Sequence, residues 1–255
     1  MTQLPTASQS GAGRIDGELR EMIDWSRGRG SRMGYFAALY THVETAIAAA
    51  SARGAFARPD LLARVNERFF ARYLEAFDAR RRGLPTTGAW QAAFDATERT
   101  RLCVLQHLML GMNAHINFDL PVAVATALDR DELAAFRVDF DRMNALLASL
   151  VDEVSSDLAL AWPLLRWINS IGRRPDDVII DFSMRAARDH AWHGALELSP
   201  LSGTARLRAI DDLDGQAVVL AGDVARPSLP GRLVAAIVRA GERGSVREII
   251  DDLLR

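Results

Sequence analysis

Lysine is missing from this chain altogether, since all 31 basic residues are arginine. That absence excludes a Schiff-base lysine, a pyridoxal-phosphate anchor and a P-loop lysine beneath a nucleotide phosphate. Cysteine is nearly as scarce. Cys103 stands alone, so neither an intramolecular disulfide nor a cysteine zinc cluster can form. Its neighbours Leu102, Val104 and Leu105 mark it as a small buried hydrophobe, because a reactive thiol needs an electropositive, partly exposed setting. Excess positive charge is absent too. The formal net charge of -2 sets up no global field for nucleic acid, and Arg80, Arg81 and Arg82 lie among acidic residues, as on a solvated helix face. No run suits a lipid bilayer: the longest uncharged stretch, Leu102 to Phe118, carries Gln106, His107, Asn113, His115 and Asn117, groups that belong inside protein. The opening MTQLPTASQSGAG lacks the basic start and apolar middle of a secretory signal. Residues 1–14 read as a disordered lead, and the expectation is a soluble cytoplasmic protein with no membrane and no nucleic-acid partner.

What is present points to helices. Hydrophobic residues at 49% and charged residues at 25% suffice for a full core. Met33, Phe36, Leu39, Tyr40, Val43 and Ile47 recur at three- and four-residue spacing and predict a helix over 32–52. Leu61, Val65, Phe69, Tyr73 and Phe77 predict a second over 60–82, closed by Gly83 and Pro85. A third is expected from Thr87 into the middle of the chain. Leu120-Pro121 should interrupt it, because proline pushes the preceding residue out of the α region. Asp129 with Glu132, and Ser245 with Glu248, have capping-box spacing. Trp162-Pro163 and Gly172 to Pro175 punctuate the chain before a further helix ending at Leu198, and Gly215 to Leu220 admits either strand or helix. The expected fold is all-α: one multi-helix bundle over 15–200 around a buried central helix, with 201–255 as a short C-terminal extension packed on it.

The central segment, Arg101 to Pro121, is apolar on every side, as befits a helix in the middle of a bundle. At about 100° per residue its polar side chains fall into two stripes. His107, Gly111 and His115 form one, with Gly111 leaving room between the imidazoles for a ligand or another backbone; Gln106, Asn113 and Asn117 form the other. If the helix persists, Asp119 falls one turn beyond His115 on the same side, and that spacing suits a metal pair. The bland readings are equally physical: Asp119 as a helix cap and each His as a satisfied core residue. A second constellation runs from Asp177 to Leu198. There Met184, Arg188, Ala191, Trp192 and Ala195 share a largely apolar face, and burial of Arg188 calls for a carboxylate, Asp119 or Asp139. His190 and His193 could add ligands.

The string Gly111-Met112-Asn113-Ala114-His115-Ile116-Asn117 with Asp119-Leu120-Pro121 resembles a known bacterial family, domain-of-unknown-function family 5995. Asp139-Phe140, Asn144 to Leu147, Ser183, Ala187-Arg188, Ala191-Trp192 and Ala195 extend the resemblance, as do Phe36, Tyr40, Val43 and the Phe69 to Phe77 segment, over about residues 30–200. The resemblance implies a helical fold and no established activity. It narrows the candidates to His115, Asp119, Asp139, Arg188, Asn113 and Asn117, with an aromatic residue equally acceptable at His107.

Two function classes follow. In the first the protein is an enzyme acting on a largely apolar small molecule, with His115, Asp119, Asp139 and Arg188 as catalytic residues and Asn113, Asn117, His107 and Trp192 as substrate contacts. It then runs either metal-assisted hydrolysis, with zinc, iron or manganese on His115 and Asp119, or metal-free acid–base chemistry such as isomerisation, elimination or cyclisation in specialised metabolism. In the second it is a small-molecule-binding helical protein without catalysis.

Overall fold

The computed structural model describes residues 7–161 and 184–255, with side chains over 13–147 and 186–255. Within them the apolar periodicity resolves into helices, and no strand occurs among the described residues. Three long helices come first: α1 (Ala7–Arg29), α2 (Met33–Ala52) and α3 (Pro59–Arg81). The short α4 (Gly88–Ala96) precedes the central element, which is α5 (Val104–Asn113), a wide π-helical turn (Ala114–Asp119) and α6 (Leu120–Ala127) in direct succession. α7 (Arg130–Ala161), α8 (Met184–Leu198), α9 (Gly203–Ala225), α10 (Leu229–Gly241) and α11 (Val246–Leu253) complete the chain. The punctuation at Trp162-Pro163 and Gly172 to Pro175, and the first turns of the helix expected from Asp177, lie outside the described residues.

The central element touches α2, α3, α4, α8 and α9, and burial on every side is what its all-round apolar surface requires. Trp90, Tyr73, Phe70 and Phe77 are almost wholly buried around it. α9 is helical throughout, including Gly215 to Leu220. It lies against α4, α5 and the π turn, so residues 203–225 are built into the bundle, and α11 packs on α1 and α2 with Ile249 and Ile250 in the core. α1 begins at Ala7, inside the stretch expected to be a disordered lead.

Two further expectations change. The helix expected from Thr87 into the centre is broken between Ala96 and Val104. Thr97 Oγ1 donates to the Phe94 carbonyl at 2.6 Å and ends α4, while Glu242 Oε1 accepts from Val104 N at 2.7 Å and opens α5. Leu120-Pro121 does not interrupt the helix. Leu120 keeps α-region torsions (φ -61°, ψ -50°), and its amide reaches back five residues to the His115 carbonyl. A proline inside an α-helix lacks a donor and presses on the carbonyl one turn back. The π turn widens the backbone just before Pro121, and such turns recur at functional sites.

Three helix N-termini are capped from far along the chain. Asp139 accepts from Ala57 N and Arg58 N at 2.7 and 2.6 Å before α3. Asp214 accepts from Gly88 N and Ala89 N at 2.7 and 2.8 Å at the start of α4. Glu242 serves α5 in the same way. Local capping boxes form as well, Asp129 with Glu132 and Ser245 with Glu248 as the spacing predicts, and Cys103 with Gln106 at α5.

Candidate functional site

The two stripes of the central helix face different partners. The Gln106, Asn113 and Asn117 stripe meets α9: Gln106 Nε2 donates to the Val224 carbonyl at 2.9 Å and Asn113 Nδ2 to the Ala217 carbonyl at 2.8 Å. Asn117 Nδ2 then donates to Asn113 Oδ1 at 2.9 Å. These bonds satisfy amides that would be costly to bury alone. They make Asn113 a docking group against α9 and Asn117 its support on the same helix. Gly111, on the other stripe, does leave room, but Phe36 fills it: a Cβ there would lie 2.7 Å from Phe36 Cγ.

The Phe36 ring leads to His115. This imidazole is 2% exposed and stacks on Phe69 with ring centres 3.5 Å apart and planes at 6°. Tyr40, Phe36, Tyr73 and Trp90 close the cage edge-on or tilted at 5.0 to 6.2 Å. The π turn brings Asp119 alongside, with His115 Nδ1 3.3 Å from Asp119 Oδ2. Asp119 is itself held from two sides, accepting from Trp90 Nε1 at 2.7 Å and from Arg72 Nε at 2.8 Å. A carboxylate on Nδ1 selects the tautomer in which Nδ1 carries the proton. Nε2 is then a lone pair, buried and without a hydrogen-bond partner among the described residues. Burial holds the His115 pKa below its ordinary value, outweighing the opposite pull of Asp119, so the ring is neutral at neutral pH.

His115 forms part of the wall of an apolar cavity of about 190 Å³ between α2, α3, the central element, α7 and α8. Five polar side chains also line it: Tyr40, His42, Asn66, His115 and Arg188. Four of the five have partners elsewhere: His42 Nε2 lies 2.6 Å from the Leu253 carbonyl, Asn66 Nδ2 donates to Glu44 Oε2 at 2.9 Å, His115 Nδ1 meets Asp119 and Arg188 Nε donates to Asn144 Oδ1. Tyr40 Oη, like His115 Nε2, is buried without a hydrogen bond of normal geometry among the described residues. The Glu44 carboxyl lies near it, pushed up to about 7 by burial. Burial, with Glu44 second, drives the Tyr40 pKa well up, so its hydroxyl keeps its proton.

The remaining expected residues are dispersed. Asp119 sits behind His115, and Arg188 lines the cavity, but Asp139 is a wholly buried cap of α3 that also meets Arg142 at 3.2 Å. Neither Asp119 nor Asp139 pairs with Arg188, which donates to Asn144 Oδ1 and lies over the Phe140 ring. Trp192 packs against Phe140 at 4.8 Å beneath Arg137, away from the cavity. His107 is buried against Tyr35, with neither ring nitrogen hydrogen-bonded among the described residues. His190 and His193 are exposed. A metal does not fit His115 and Asp119: the Asp119 oxygens already accept from Arg72, Trp90 and the imidazole, and no cluster of three or more His, Cys, Asp or Glu suited to an ion occurs among the described residues. Tyr40, Phe69, Arg72 and Trp90 are site residues that sequence reasoning misses, because each looks like ordinary core or a solvated arginine. The one available signal is a polar tip at Tyr40 and at Trp90 on faces otherwise reserved for burial, where such tips need partners.

A family model described as a family of unknown function (DUF5995) matches residues 14–227. No curated protein and no solved structure matches the chain.

Proposed function

The chain belongs to the family of unknown function DUF5995, and on that premise we propose that it is a metal-free acid–base enzyme acting on a largely apolar small molecule in the cytoplasm. One observation carries the reading: His115 Nε2 is a buried base, unpartnered among the described residues, in the wall of an apolar cavity and oriented through Nδ1 by a carboxylate that Arg72 and Trp90 hold in place. An imidazole aimed by a carboxylate is the usual arrangement of a general base. Its lowered pKa keeps the lone pair available at neutral pH.

The chemistry that suits these groups is proton abstraction next to a carbonyl. His115 Nε2 takes the proton from carbon and the electron pair moves onto the carbonyl oxygen. The Tyr40 hydroxyl, which keeps its proton and lies beside the Glu44 carboxyl, turns to donate a hydrogen bond to that oxygen. Return of the proton to the same or a neighbouring carbon completes an exchange or an isomerisation. Asp119 stabilises the imidazolium and does not itself change protonation state. The apolar lining of the cavity strengthens each of these interactions.

Deuterium exchange tests this without knowledge of the natural reaction. Apolar ketones incubated with the protein in D2O should incorporate deuterium beside the carbonyl, followed by proton NMR. In His115→Gln, with its fold checked by circular dichroism, the rate should fall by about 100-fold or more, the usual contribution of a positioned base. Equal rates in both proteins, or no exchange above buffer in either, would sink the assignment.

A further inference from the structure

We propose that Arg188 is the anchor for a carboxylate carried by the substrate, so that the cavity takes an apolar molecule with one anionic end. The inference rests on reading the cavity as a substrate site and adds which substrates it selects. Arg188 is 5% exposed, and a guanidinium so deeply placed is normally paired with a carboxylate. Among the described residues no carboxylate pairs with it. Its Nε donates to the neutral Asn144 Oδ1, its Cζ lies 5.5 Å from the Phe140 ring centre, and its two Nη groups meet no acceptor among the described residues. Burial pushes its pKa down to about 10, which leaves it charged at neutral pH. Of the other polar groups in the lining, Tyr40 and His115 are kept neutral by burial, Asn66 is neutral by nature, and His42 Nε2 is engaged with the Leu253 carbonyl.

Among the described residues Arg188 is thus a cation in an apolar wall with donors to spare, and a planar guanidinium matches a carboxylate through two parallel hydrogen bonds. Its place in the cavity sets polarity along the substrate. Arg188 comes from α8, with Asn144 and Phe140 of α7 behind it, whereas His115 and Tyr40 come from the π turn and α2. An anion held on the α7–α8 side leaves the apolar body of the molecule to lie across Phe69, Val65 and Leu39 towards the base. Arg188 on this account is a positioning residue, recognising a charge the substrate already has.

The test compares three ligands of one chain length, decanoate, 1-decanol and decyltrimethylammonium, kept below their micellar concentrations and titrated calorimetrically into the full chain. Wild type should bind decanoate about tenfold or more tightly than decanol, with the cation weakest. Arg188→Met should lose that preference while holding decanol within about twofold, and its unliganded melting temperature should rise because an unpaired buried charge is gone. Arg188→Lys keeps the charge without the fork and should retain part of the preference, which covers the case in which Arg188→Met fails to fold. Equal affinity of wild type for decanoate and decanol would overturn the inference, as would an unchanged preference in Arg188→Met or, if that variant does not fold, in Arg188→Gln. The two readings fail separately: a wild-type chain that prefers decanoate but exchanges no deuterium leaves Arg188 as the anchor even if His115 Nε2 is not the base.

Discussion

At His107 the imidazole is buried with neither nitrogen hydrogen-bonded among the described residues, and the Leu102 backbone and the charges of Arg32 and Arg239 lie near. Burial first, then those two arginines, bring its pKa down to about 4. The unfolded chain therefore binds a proton below about pH 6.5 that the folded chain refuses until about pH 4, and stability is lost as pH falls through that window. His107→Phe keeps the ring and discards the titration. It should match wild type within about 1 kcal/mol at pH 8 and exceed it by about 2 kcal/mol at pH 5, read from urea midpoints at both pH values. His115, whose pKa moves in the same direction for the same reason, adds an acid-side loss that the variant keeps. At this scale the sequence is partly legible. His115 and Asp119 at four-residue spacing can be placed together, and so can the gap at Gly111. That Phe36 fills the gap cannot be read, because the side chain that enters a helix's groove belongs to another helix.

Among the elements, the capping pattern separates what is local from what is not. Boxes such as Asp129 with Glu132 lie within one turn and are readable as spacing. The caps of α3, α4 and α5 come from Asp139, Asp214 and Glu242, 81, 126 and 138 residues away respectively in the bonds to Arg58, Gly88 and Val104, and no periodicity reports them. Acidic and central, Asp139 therefore reads from sequence as a catalytic or Arg-pairing residue. Its replacement should instead act on stability. Asp139→Ala leaves two amides before α3 without acceptors in a site where the carboxylate is 0% exposed, and the expected cost is about 3 kcal/mol in urea unfolding. Deuterium exchange by the fraction that folds should be unaffected, and a stable but inactive variant would return Asp139 to the site. The π turn is the other element-scale surprise. Pro121 announces an irregularity, but a break and a widened turn answer the same steric problem, and neighbouring helices decide between them.

For the whole molecule, the boundary near residue 200 follows composition, whereas packing moves it. α9 supplies the Asp214 cap of α4 and the carbonyls that hold Gln106 and Asn113, and the family match runs to residue 227. α10 and α11 close the far side, where Ile250 is wholly buried and His42 meets the Leu253 carbonyl. A chain ended after residue 202 should show no cooperative thermal transition. One ended after residue 227 should still melt cooperatively, less stable by about 3 kcal/mol or more for the lost burial of Ile249 and Ile250 and the lost Glu242 cap. A cooperative transition in the shorter chain would show that α9 is dispensable. No helix among the described residues is long and apolar enough to cross a membrane.

The helical class, the positions of most helices, the buried centre and its two polar stripes are determined by the sequence alone, since each depends on spacing within a few turns of one helix. Composition by itself also removes lysine, disulfide and cysteine-zinc chemistry. Only the tertiary structure decides which stripe meets α9 and which meets the aromatic cage, and that Asp119 serves His115 while Asp139 caps α3. It alone leaves Arg188 facing a cavity without a carboxylate among the described residues. The physical reason is that a buried polar group needs a partner, while the partner's identity depends on which distant helix packs against it.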